Sequence, residues 1–112
     1  MKIDIKNRKF SVNNIEINHI ADVELKNNEM ITFIKDNKEY DFVAKEWGYY
    51  ATPSINSRLK NFGYKTALVR NSFGQVYINI VEIEKMNKFL EYLKSENSEV
   101  LMWIDEEYKC VE

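Results

Sequence analysis

The 112-residue chain contains one cysteine, one proline, one histidine and three glycines. One cysteine excludes an internal disulfide. One cysteine and one histidine also exclude the common zinc constellations, which need Cys-x-x-Cys or paired-histidine spacings. Gly48, Gly63 and Gly74 stand far apart, so no glycine-rich phosphate loop can form. With 45% hydrophobic and 30% charged residues, the chain is neither a disordered linker nor a collagen-like repeat. No apolar run approaches the ~18 residues of a membrane-spanning helix. Lys2-Ile3-Asp4-Ile5 alternates charged and apolar residues, unlike the unbroken apolar stretch of a signal peptide. These features lead to the expectation of a cytoplasmic protein without metal or cofactor. Thirteen asparagines, with many Lys and Ile, suggest an AT-rich bacterial coding sequence.

Sixteen Lys and Arg face eighteen Asp and Glu, a formal net charge of −2. That balance argues against a strongly cationic nucleic-acid binder. The length suits one domain, 1–112, with enough apolar residues for a core.

Residues 1–46 read as an N-terminal antiparallel β-meander. Lys2–Lys6 and Asn14–Asn18 alternate with period two, and Glu29–Lys35 and Lys38–Ala44 are rich in β-branched and aromatic residues. Asp36-Asn37 tolerates positive φ at both positions, as a type I′ hairpin turn requires; Asn13-Asn14 and Asn27-Asn28 read as turns for the same reason.

Residues 47–104 read as strand, helix, two strands, helix and strand. Trp47–Ala51 is a short aromatic strand. Thr52-Pro53 suits a helix start, Ile55, Leu59 and Phe62 share one helical face, and Gly63 suits its end. Tyr64–Asn71 and Gln75–Glu82 form a hairpin through Ser72-Phe73-Gly74. Met86, Phe89, Leu90 and Leu93 form the apolar stripe of a second helix over 84–96, stopped at Asn97, and Val100–Ile104 is the last strand. The order predicts an α+β fold: the meander followed by a ferredoxin-like β-α-β-β-α-β unit, two helices on one face of a mainly antiparallel sheet. Whether Lys38–Ala44 and Trp47–Ala51 are one strand or two stays open. Residues 105–112 read as an acidic, frayed tail, with Asp105-Glu106-Glu107 solvated rather than metal-binding and Cys110 an incidental thiol.

The chemistry concentrates between Trp47 and Val81, which hold Arg58, Lys60, Lys65 and Arg70 and no acid at all. Residues 83–112 carry the opposite excess. An acid-free window containing a helix start suits an anion. Trp47, Tyr49 and Tyr50 can stack on a sugar or base, Thr52, Ser54 and Asn56 can hydrogen-bond it, and Arg58 and Arg70 can hold its charge. His19 has no nucleophile beside it in sequence, and no acid–base pair can be nominated, so binding rather than catalysis is expected. The expected ligand is a polar anionic small molecule: a nucleotide, nucleotide-sugar or acidic sugar. Two alternatives stand beside it. One is RNA binding on the sheet around Phe73–Ile78, weakened by the acidic balance. The other is a homo-oligomeric or protein-interaction module, with the aromatic strand as interface.

Overall fold

Asparagine and aspartate in left-handed turns set the first half of the chain. In the computed structural model, which describes residues 1–107, Asn13 and Asn14 have φ of 50° and 68° and join β1 (Lys2–Val12) to β2 (Ile15–Glu24). Asp36 and Asn37, with φ of 53° and 63°, join β3 (Met30–Lys35) to β4 (Lys38–Lys45). Positive φ at both central residues is the type I′ geometry, whose twist matches that of the flanking strands. A further hairpin through Glu46-Trp47 brings back β5 (Gly48–Ala51). The result is a two-stranded antiparallel ribbon, β1–β2, and a three-stranded antiparallel sheet in the order β3-β4-β5.

The remaining elements are α1 (Arg58–Asn61), β6 (Tyr64–Arg70), β7 (Val76–Glu82), α2 (Met86–Ser95, led in by a 3-10 turn over Ile83–Lys85), β8 (Glu99–Trp103) and α3 (Ile104–Glu107). The sheet order is β7-β6-β8, antiparallel throughout. The fold is therefore α+β with antiparallel sheets. Backbone contacts divide it into two compact units, Met1–Thr52 and Pro53–Glu112.

The ferredoxin-like arrangement expected for 47–104 is not what the strands form. Its first strand would belong to the same sheet as the other three; instead β5 pairs with β4, Tyr49 opposite Ala44 and Tyr50 opposite Val43. The physical reason is loop closure. A two-residue turn makes the preceding strand the cheapest partner, and a distant sheet would need a long crossover. Lys38–Lys45 and Gly48–Ala51 are thus two strands of one hairpin.

The first helix is also shorter than Thr52-Pro53 suggests. Thr52 does not cap it: its hydroxyl donates to Asp41 Oδ2 at 3.1 Å and its amide to the Asp41 carbonyl at 3.0 Å, fastening it to β4. The N-cap of α1 is Ser57, whose side chain makes no capping bond; the first amides are taken up by Ser54 instead, its hydroxyl accepting from the Arg58 amide at 2.8 Å and its carbonyl from the Leu59 amide at 2.9 Å. Gly63, at φ 82°, ends α1 as expected.

The second unit owns a core. Ala67 and Val69 on β6 pack with Leu93 of α2, and Phe89, Val100 and Trp103 close around them. Asp105 corrects the expected acidic tail. It is 2% exposed, and its Oδ1 accepts from the Thr66 amide at 3.1 Å while Lys65 Nζ lies 3.4 Å from Oδ2. Hydrogen bonding to Glu106 at 2.5 Å, then the charge and hydrogen bond of Asp105, hold the Lys65 ammonium above its ordinary pKa. The ammonium also lies 5.1 Å from the centre of the Trp103 ring. Residues 108–112 of the expected tail, Cys110 among them, lie outside the described residues.

Two outcomes follow for stability. Leu59 is fully buried, so Leu59→Ala should cost roughly 2–5 kcal/mol in urea unfolding. Asn37→Gly should leave stability unchanged or slightly raised, whereas Asn37→Val, a β-branched residue at φ 63°, should lose about 1–2 kcal/mol.

Candidate functional site

The residues nominated from sequence fall in both units. In the first, Trp47 occupies the β4–β5 turn, 71% exposed, and stacks on Tyr50 with ring centres 6.1 Å apart and planes 19° from parallel. Tyr49 is also exposed, but adjacent strand residues point to opposite faces, so it does not join that pair. Thr52 is committed to Asp41.

In the second unit, the Ser54 hydroxyl accepts from the Arg58 amide and Asn56 is half-buried in the turn before α1. The Arg58 guanidinium lies 5.7 Å from the centre of the Phe62 ring. Arg70 is paired with the Glu99 carboxylate, its cross-strand neighbour on β8. The acid-free window is thus acid-free only along the chain, because the sheet returns a carboxylate to Arg70. Of the eight nominated residues, Trp47 and Tyr50 stack on one another and are both exposed.

A larger surface lies on the ribbon. Its register pairs Ile3 with Val23, Ile5 with Ala21, Arg8 with His19, Phe10 with Ile17 and Val12 with Ile15. Cross-strand partners share a face, so one face of the ribbon is apolar except at its central pair, Arg8 and His19. Ile3, Ile5, Phe10, Val12, Ile15 and Ile17 remain 40–73% exposed. The opposite face carries Lys2, Asp4, Lys6, Lys9, Glu16, Asp22 and Glu24, with Ser11, Asn18 and one apolar side chain, Ile20, 61% exposed. There Lys6 binds Asp4 at 2.9 Å and Asp22 at 3.5 Å, and Lys9 lies 3.6 Å from Glu16. The Asp4 hydrogen bond, then the Asp22 charge, hold the Lys6 ammonium above its ordinary pKa.

A groove of about 630 Å³ lies against the ribbon, lined by Ile3, Arg8, Phe10, Ile17, His19, Ala21 and Val23 of the apolar face, by Asn18 and Ile20 of the other, and by Ile31 and Phe33 of β3. Phe33 continues into an aromatic row through Phe42, 6.1 Å away edge-on, and Tyr40, 5.4 Å beyond. Burial pushes the Tyr40 phenol up.

The polar groups of this face are few. Arg8 leans over Phe10, 5.3 Å from the ring centre, and among the described residues pairs with no carboxylate. His19 Nε2 lies 2.8 Å from Asp22 Oδ1, and its buried Nδ1 has no hydrogen-bond partner. A His–Asp pair becomes a proton relay only when the other ring nitrogen meets a hydroxyl, thiol or water to deprotonate. His19 Nδ1 meets no protein group. Among the described residues no cluster of His, Cys, Asp and Glu could hold a metal, and no helix is long and apolar enough to cross a membrane.

Sequence reasoning missed this face because of a β-bulge. The register shifts between Ile5 and Arg8, so the positions on this face run 3, 5, then 8, 10, 12. Strict alternation stops at Lys6, where the expected strand ended. The uninterrupted series 15, 17, 19, 21, 23 on β2 was the available signal.

The ribbon is tied to the meander at its base. The Met1 ammonium lies 3.0–3.1 Å from both Glu29 carboxylate oxygens, and the Lys26 amide donates to Oε1 at 2.7 Å. The Lys26 amide first, and the N-terminal ammonium second, hold the Glu29 carboxyl below its ordinary 4.5. A depressed folded pKa means that this tie is present above the ordinary value and lost as pH falls through the folded one. An NMR titration of the Glu29 carboxyl carbon should give a midpoint below 4.5, and Glu29→Gln should abolish the accompanying shifts at the Met1 end of β1. A midpoint at or above 4.5 would show that the tie does not form.

Comparison with protein-family models, with curated proteins and with solved structures finds no match to the chain.

Proposed function

We propose that the chain is a protein-interaction module whose working surface is the apolar face of the β1–β2 ribbon. The observation that supports this reading is the set of six large apolar side chains on one ribbon face, each 40–73% exposed. Scattered exposed apolar residues are ordinary, but a contiguous strip rimmed by charges marks an interaction surface. A two-stranded ribbon has little independent stability in water, and covering its face supplies what it lacks. The charged outer face keeps the other side in solvent.

A photo-crosslinking residue at position 5, on the apolar face, should yield covalent protein adducts in cells. The same residue at position 2, on the charged face, should yield few. Equal adduct formation from both positions, or none from either, would remove the reading.

A second reading rests on the stacked, exposed Trp47–Tyr50 pair, which suits the flat ring of a nucleotide or the face of a sugar. Arg58 and Arg70 each already have a partner, which weakens their part in holding an anion. Saturable quenching of Trp47 fluorescence by a nucleotide or an acidic sugar, absent in Trp47→Phe, would favour this reading.

A further inference from the structure

We infer that the occupant of the ribbon face is the ribbon of a second copy of this chain. The two pack apolar face to apolar face, with the two-fold axis running along the ribbons. The inference rests on the ribbon being the interaction surface and adds what covers it.

Charge selects this arrangement among those open to a two-stranded ribbon. Both strands are edges, and edge-to-edge pairing is the usual hazard of such a structure. Here β1 carries Lys2, Lys6, Arg8 and Lys9 against Asp4 alone, while β2 carries Glu16, Asp22 and Glu24 and no Lys or Arg. A two-fold β1–β1 edge contact sets cations against cations, and a β2–β2 contact sets acids against acids. A β1–β2 edge contact is attractive but heterologous, and it would extend into a fibre rather than close. Face packing avoids all three, because the charged face points away.

The central pair then chooses between the two face-packed orientations. Arg8–His19 is the middle rung of the register, four paired rungs on either side. Packed tip to base, the ribbons would set Arg8 on Arg8 inside an apolar contact. With the axis along the ribbons, β1 of each copy lies over β2 of the other, and Arg8 lies over His19. The same operation sets the basic strand of one copy over the acidic strand of its partner.

The open part of the face, beyond the cover of Ile31 and Phe33, sets the area. Its six most exposed apolar side chains, doubled by the second copy, approach the roughly 1,200 Å² at which specific interfaces begin, the size of a weak dimer. The product is a four-stranded sandwich with the ~10 Å layer spacing of packed sheets.

The test combines mass and distance on the full chain. Sedimentation equilibrium should give twice the chain mass at micromolar concentration. Ile5→Asp, at a side chain 73% exposed in the single chain, should weaken association by at least roughly 100-fold, because symmetry counts the buried charge twice. Phe73→Asp, 86% exposed in the β6–β7 loop, should leave it unchanged. Nitroxides at Lys2→Cys in a Cys110→Ser background should lie about 15–25 Å apart, since bases meet; tip-to-base packing would separate them by about 35 Å or more. A monomer at every concentration, a dimer indifferent to Ile5→Asp, or the long distance would each overturn the inference. A monomer that still forms adducts with another protein from position 5 would remove the second copy while leaving the interaction module standing.

Discussion

A ribbon of two strands has two faces and no second layer. That geometric constraint governs the first unit, whose β1 and β2 are among the longest elements of the chain. One face can be made soluble with charge, and the ion pairs of Lys6 with Asp4 and Asp22, and of Lys9 with Glu16, do this. Exposed pairs of this kind contribute little to stability, so their value lies in solubility and in register. The other face carries the apolar half of the alternation and finds only partial cover in Ile31 and Phe33. The Met1–Glu29 contact fixes the ribbon at its base.

The second unit meets the same problem differently. Its sheet has three strands with β6 in the middle, and α2 supplies the missing layer, so Ala67, Val69 and Leu93 are buried. Its polar interior is held by a short-range arrangement: the Asp105 carboxylate, almost fully buried, accepts from the Thr66 amide beside the Lys65 ammonium. A buried carboxylate is tolerated only with such partners. The first unit has no helix in its own span.

What could be read from sequence was what local chemistry decides. The turns at Asn13-Asn14 and Asp36-Asn37 were legible because left-handed backbone is available to few residues. Gly63 and Asn97, both at positive φ, marked helix ends for the same reason. What long-range pairing decides was not legible. The partner of Gly48–Ala51 depends on a two-residue turn whose sequence, Glu46-Trp47, carries no hairpin signature. Arg70 appeared to stand in an acid-free segment because Glu99 lies 29 residues away along the chain and adjacent across the sheet. Asp105 looked like tail because nothing local reveals that it reaches Thr66. The ribbon face, the main feature of the candidate site, was divided by one bulge.

The claim that the ribbon face is covered in solution is tested most directly on its own methyl groups. A soluble paramagnetic agent broadens methyl signals in proportion to their exposure. The account predicts that the Ile3, Ile5 and Ile17 methyls of the full chain are protected at high concentration and become sensitive to the agent on dilution. Signals broadened at every concentration as strongly as 42–73% exposure in a lone chain requires would contradict it.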